Sequence, residues 1–147
     1  CGCRFMPKLL EIFDLLKSSD NFILQNKTSF VPVTTYRVYV IELSKRVFTE
    51  NARFRAANPQ FNGVLECLYV GMTSKTPQER FQQHKTGYVN NKGHKLSAAI
   101  VYRYGSYLRP RLYDHLNLKP MNREQALSME KKLAWDLRRK GYAVWFN

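Results

Sequence analysis

The chain has 147 residues, 44% hydrophobic and 14% aromatic, enough to bury the core of one compact domain without disulfide support. Its 24 lysines and arginines against 11 aspartates and glutamates give a formal charge of +13, which favours a polyanionic partner and makes nucleic acid the first to consider. No uninterrupted apolar run approaches the ~18 residues of a spanning helix, and no basic start leads into an apolar h-region, so a soluble chain without a membrane partner is expected.

Cys1, Cys3 and Cys67 are an odd set whose only close pair sits at the terminus, which describes neither a disulfide framework nor a zinc ribbon and suits a reducing, cytoplasmic setting. A start at Cys1 leaves truncation, a cloning scar or processing open, a lipid-modified cysteine included. Composition alone also allows a generically basic protein whose charge only aids solubility, so the placement of the charges has to decide.

In chain order, Leu9, Ile12, Phe13 and Leu16 fall at helical spacing and predict an amphipathic helix from Pro7 to Lys17. A turn cluster over residues 18–21 follows, and the mixed stretch Phe22 to Thr35, interrupted by Pro32, is read as an edge strand or ordered loop. Residues 1–34 are therefore treated as an extension and 35–147 as the main domain. Tyr36 to Leu43 and Leu65 to Met72 are rich in β-branched and aromatic residues and predict two neighbouring strands, joined by a polar connection containing Asn58, Pro59, Asn62 and Gly63. Both runs are apolar at nearly every position, so both faces need cover from helices.

The first such helix is marked by Thr76 as N-cap, Pro77 at its first position, Glu79 completing a capping box and Gly87 at its end, with Arg80 in its first turn. Asn90 to His94 is a polar loop, and Leu96 to Leu112 gives no clean choice between helix and strand. The last helix opens at Asn122 with Gln125 three residues on, carries Ala126, Leu127, Met129, Leu133, Ala134 and Leu137, and stops at Gly141; Tyr142 to Phe146 predicts a short final strand.

One residue on that last helix is out of place. A helical wheel sets Glu130 among Ala126, Leu133, Ala134 and Leu137, near the middle of the apolar stripe. A buried carboxylate costs several kcal/mol unless it is paired or binds a cation, so Glu130 should meet a metal, a donor network or an arginine, Arg80 being the plain structural partner. Arg80 and His84, four apart, share a helical face. Arginine can grip two phosphate oxygens, and histidine titrates near neutrality and can move a proton, abilities that phosphodiester cleavage requires; the bland alternative is a surface helix that only binds backbone phosphate. Tyr39 and Tyr69 lie in the two candidate strands, where paired tyrosines are ordinarily core packing.

Arg37-Val38-Tyr39, then Tyr69-Val70-Gly71, then Arg80, His84 and Glu130 follow the ordered motif set of the G-I-Y/Y-I-G nuclease superfamily, which the chain resembles from about Tyr36 to Asn147. The stretch LYVGMTSKTPQERFQQHK from Leu68 to Lys85 and the closing GYAVW resemble its small stand-alone bacterial members. The resemblance implies an α+β fold with a small central antiparallel sheet of three strands flanked by helices. It also implies hydrolysis of a DNA phosphodiester, with Glu130 the protein ligand of one divalent ion, magnesium or manganese. In that scheme Tyr39 or Tyr69 helps deprotonate the attacking water, Arg80 steadies charge on the phosphoryl oxygens, and His84 accepts a relayed proton. A tyrosine of ordinary pKa ~10 is a poor base at neutral pH, so a metal, Arg80 or His84 must favour its ionised form.

Arg37 departs from the glycine of the first triplet, and Tyr142 stands twelve after Glu130 where several relatives carry asparagine; Asn147 can substitute, and Gly71 supports the site. His94 and His115, isolated in polar stretches, are set aside as surface residues. Lys75, Lys85, Lys92 and Lys95 are the candidate DNA contacts, whereas Lys131, Lys132, Arg138, Arg139 and Lys140 on the last helix can equally form a solvated face. Two other readings are carried: a catalytically silent nucleic-acid-binding module of the same fold, and an N-terminal helix that docks a partner or a second copy, so that monomer and homodimer both stay open.

Overall fold

The computed structural model describes residues 32–89 and 98–147. The amphipathic helix expected from Pro7 to Lys17, most of the stretch Phe22 to Thr35 and the polar loop with Lys92, His94 and Lys95 lie outside the described residues. Residues 34–147 form one compact unit.

Its elements are β1 (Arg37–Leu43), α1 (Arg46–Glu50), α2 (Ala52–Ala57), β2 (Cys67–Thr73), α3 (Pro77–Thr86), α4 (Ala99–Tyr104), β3 (Gly105–Leu108), α5 (Arg123–Arg139) and β4 (Ala143–Trp145), with short 3-10 turns at Pro110–Leu112 and Asp114–Leu116. The class is α+β. The expected antiparallel sheet of three strands is corrected to a four-stranded mixed sheet in the order β3-β1-β2-β4. β1 pairs antiparallel with β2 and β3, whereas β4 runs parallel to β2 with Cys67 opposite Ala143. The fourth strand, β3, follows α4 without an intervening loop. Gly105 permits this: a Cβ there would stand 2.5 Å from the Val101 carbonyl oxygen in the last turn of α4. The parallel pairing of β4 arises because α5 separates it from β3 and Gly141, at φ +109°, turns the chain back onto the sheet.

β1 and β2 are buried on both faces, as their unbroken apolar runs require, and Val38 to Ile41 and Cys67 to Val70 form the centre of the core. Burial pushes the Cys67 thiol up to about 11, which keeps it protonated. α3 begins as its sequence demands: the Glu79 N–H donates to Thr76 Oγ1 at 3.2 Å and the Thr76 N–H donates to Glu79 Oε2 at 3.0 Å. Gly87 ends it in the left-handed conformation. Asn122 and Gln125 build the same reciprocal box on α5. α5 buries Ala126, Glu130, Leu133, Ala134 and Leu137, while Leu127 is exposed. Among the described residues no helix is long and apolar enough to cross a membrane.

The connection between β1 and β2, read only as polar, holds α1 and α2, anchored by the buried Val47 and Phe54. Asn58, fully buried, ties this insertion to the far side of the sheet. Its side-chain oxygen accepts from the Val144 N–H at 2.7 Å and from Arg138 Nε at 3.2 Å, and its amide donates to the Phe54 carbonyl at 2.8 Å. Replacing Asn58 with alanine strips the buried Val144 N–H of its partner and should destabilise the domain by about 2–4 kcal/mol in a urea titration. A loss under about 0.5 kcal/mol would show that the asparagine is not a tie.

Candidate active site

Strand register brings the two tyrosines together. Tyr39 lies opposite Gly71 and Ile41 opposite Tyr69, so both phenols leave the sheet on one face. Their ring centroids are 6.2 Å apart and tilted by 37°. Gly71 is what lets Tyr39 lie this way, because a Cβ at that position would stand 2.6 Å from both Cζ and Oη of the Tyr39 phenol. The first-triplet position, by contrast, carries Arg37, opposite Thr73 at the strand end, where a side chain is accommodated.

His84 is fully buried and packs edge-on against Tyr69, with centroids 5.5 Å apart. Its two nitrogens are committed. Nδ1 accepts the backbone N–H of Ala98 at 2.9 Å, so the neutral ring carries its proton on Nε2 and donates it to Tyr39 Oη, 2.8 Å away. Burial, with the Arg80 charge adding to it, pulls the imidazole down to about 4, which keeps this neutral form at physiological pH. In this arrangement the ring donates to Tyr39, and the proton-accepting role expected of His84 would use the other tautomer.

Both phenols are raised above the ordinary tyrosine value by burial, Tyr39 strongly. The neighbouring Tyr69 adds to the effect at Tyr39, and the Glu130 charge adds to it at Tyr69. The Arg80 guanidinium opposes the rise at both. Arg80 is half-buried in the first turn of α3 and donates to Gln83 Oε1 at 3.3 Å. Asn147 Nδ2 donates to Tyr69 Oη at 3.2 Å, so each phenol oxygen has one donor already directed at it.

Glu130 is 4% exposed, and no ion pair reaches it among the described residues. The plain partner considered for it, a salt bridge to Arg80, does not form. Burial pushes its carboxyl up to about 7, opposed only by the Asn147 backbone N–H. Asn147 thus bonds Tyr69 and opposes the rise at Glu130, while Tyr142 packs at the edge of the core with its N–H on the Leu137 carbonyl. Among the described residues no group of three or more His, Cys, Asp or Glu is placed to hold a metal. Glu130 is the carboxylate of the cluster and would be the residue to hold a divalent ion; a single carboxylate suits magnesium, which keeps most of its waters. Its burial without an ion-pair partner among the described residues is the observation on which that fit rests.

Of the expected phosphate contacts, Lys75 is exposed between β2 and α3. Lys85 is committed elsewhere, its ammonium donating to the carbonyls of Gly105 at 2.8 Å and Tyr102 at 3.4 Å. On α5, Arg138 holds the Val144 carbonyl and stacks on Trp135 and Phe146, and Arg139 pairs with Asp136. The Ala98 amide, which sets the tautomer of His84, is a backbone group and leaves no signature in residue type. Comparison with protein-family models, with curated proteins and with solved structures finds no match.

A glutamate raised in the folded state holds its proton where the unfolded chain has already lost it. Between about pH 4.5 and 7 the contribution of this carboxyl to the stability of the metal-free protein therefore falls as pH rises, and above 7 that loss is complete. His84, pulled down to about 4, contributes in the opposite sense over much of this range, so a substitution at Glu130 is needed to isolate the carboxyl. Glu130→Gln should raise the melting temperature at pH 8 in EDTA and leave it nearly unchanged at pH 4.5. An equal effect at both pH values would mean that the Glu130 carboxyl is not raised.

Proposed function

We propose that the chain is a divalent-metal-dependent endonuclease that hydrolyses DNA phosphodiesters, of the G-I-Y/Y-I-G type that its motifs resemble. The observation that carries the reading is the cluster itself. A buried carboxylate with no ion-pair partner among the described residues is grouped with an arginine, a neutral histidine and two hydrogen-bonded tyrosines.

Each part has a task in such a reaction. Arg80 is the permanent positive charge of the cluster and faces the charge that builds on the phosphoryl oxygens. His84, fixed as a donor by Ala98, holds Tyr39 Oη in place and supports negative charge there. Asn147 does the same for Tyr69. A phenol so supported can take a proton from water once Arg80 and a bound cation offset its burial. Glu130 would hold that cation, magnesium or manganese, which when bound supplies Lewis-acid stabilisation of the phosphate oxygens. The +13 charge supplies the long-range attraction for a polyanion.

The second reading is a nucleic-acid-binding module without turnover. It draws support from the same geometry, because His84 is committed as a donor and both phenols are raised, so no free base stands ready at neutral pH. The two readings part in one assay. Supercoiled DNA incubated with magnesium or manganese should be nicked or linearised by the parent, Glu130→Ala should abolish cleavage with the fold intact by circular dichroism, and Arg80→Ala should slow it by about 100-fold or more. Cleavage by Glu130→Ala at the parent rate would overturn the site. Salt-dependent binding with no metal-dependent turnover would establish the module instead.

A further inference from the structure

Two hollows on the surface join end to end beside the cluster. The nearer, about 330 Å³, is bounded by Asn147, Trp145, Ala98 and Ile100; the farther, about 450 Å³, ends at Arg103, Tyr104 and Glu50. They share Asn51, Arg53, Ala99 and Ile100 and so make one continuous groove between the α2 insertion and the start of α4. Each is of small-ligand size.

Its near end is built by residues that also order the cluster: Asn147 donates to Tyr69, and the Ala98 N–H sets His84. The groove thus borders the cluster at Asn147 and Ala98. Its lining combines cationic and apolar groups. Arg53 is exposed and makes no ion pair among the described residues. Arg103 is 68% exposed, with its guanidinium 5.4 Å from the centroid of the Tyr104 ring. Glu50 is the acidic exception, 4.0 Å from Arg103, but its carboxylate is already held by Arg46 at 2.9 Å and by the Tyr104 hydroxyl at 2.8 Å. Arg53 shares the middle of the groove with Ala99 and Ile100, and Ala98 and the half-buried Trp145 line its near end.

We propose that this groove is the path of an unpaired nucleic-acid strand leading into the cluster, an assignment that rests on the phosphodiester reading of the site. A duplex turns phosphates outward and hides its base faces, so the apolar floor and the tryptophan would meet nothing they suit. An unpaired strand offers both, phosphates for Arg53 and Arg103 and base faces for Trp145 and Ile100. The substrate class that follows is a duplex carrying a single-stranded branch or tail at the point of cleavage.

The test uses the full chain with Glu130→Gln, in EDTA, and fluorescence anisotropy with a labelled blunt duplex and the same duplex bearing a single-stranded tail of about eight nucleotides. The tail should tighten binding about tenfold. Adding Arg53→Ala and Arg103→Ala should reduce that gain below about threefold while blunt-duplex affinity and the circular dichroism melt stay close to those of Glu130→Gln. The lysine pair at the same positions should keep most of the gain. A tail that tightens binding less than about twofold, or a gain that survives the alanine pair, overturns the proposal. The outcomes separate from those of the nuclease reading: tail-dependent binding by a parent that cuts nothing sinks only the nuclease, and cleavage without a tail effect sinks only the groove.

Discussion

Burial of the Glu130 carboxylate is the constraint around which the domain is arranged. α5 is held to the sheet by Ala126, Leu133, Ala134 and Leu137, and any rotation that brought Glu130 to solvent would take these four out of the core. The helix therefore keeps a group whose ionised form the interior disfavours, and its carboxyl is pushed up to about 7. An idle position of this kind is readily filled by leucine or alanine. A glutamate there without an ion pair among the described residues is intelligible when a cation is its working partner.

The groups around it are set by backbone geometry as much as by side-chain type. Antiparallel register puts Tyr39 and Tyr69 on one face, and the bare Cα of Gly71 makes room for the Tyr39 phenol. Hydrogen bonding then runs in a definite direction, from the Ala98 amide to His84 Nδ1 and from His84 Nε2 to Tyr39 Oη. A donor so directed favours charge on the phenol oxygen, whereas a histidine free at Nδ1 would leave its tautomer undetermined. Asn147, two residues beyond β4, plays the matching part for Tyr69, and its backbone opposes the rise at Glu130.

What could be read from the sequence followed the strength of local signals. β1, β2, α3 and α5 carry long apolar runs or complete capping boxes, and each was legible. α1 and α2 were not, because five- and six-residue helices hold too few turns to show a period. β3 is four residues opening on Gly105 and Ser106, which carry little strand propensity, and the parallel run of β4 depends on long-range placement that no local pattern encodes. Within the site, Glu130 was legible from helix geometry, and Arg80 with His84 from their spacing. The tyrosines depended on motif resemblance, since a buried strand tyrosine looks alike whether it packs or reacts. The direction of the His84 bond was beyond reach, because its decisive partner is the backbone of Ala98.

The most direct test of the central claim follows the Glu130 carboxyl itself. In protein labelled with ¹³C at glutamate side chains, its resonance, assigned by its absence from Glu130→Gln, should titrate near pH 7 in EDTA. With millimolar magnesium the midpoint should move down by more than one pH unit, because the ion competes with the proton for the same oxygens. A midpoint near 4.5 that magnesium leaves in place would contradict the account, since Glu130 would then be neither raised by burial nor a ligand.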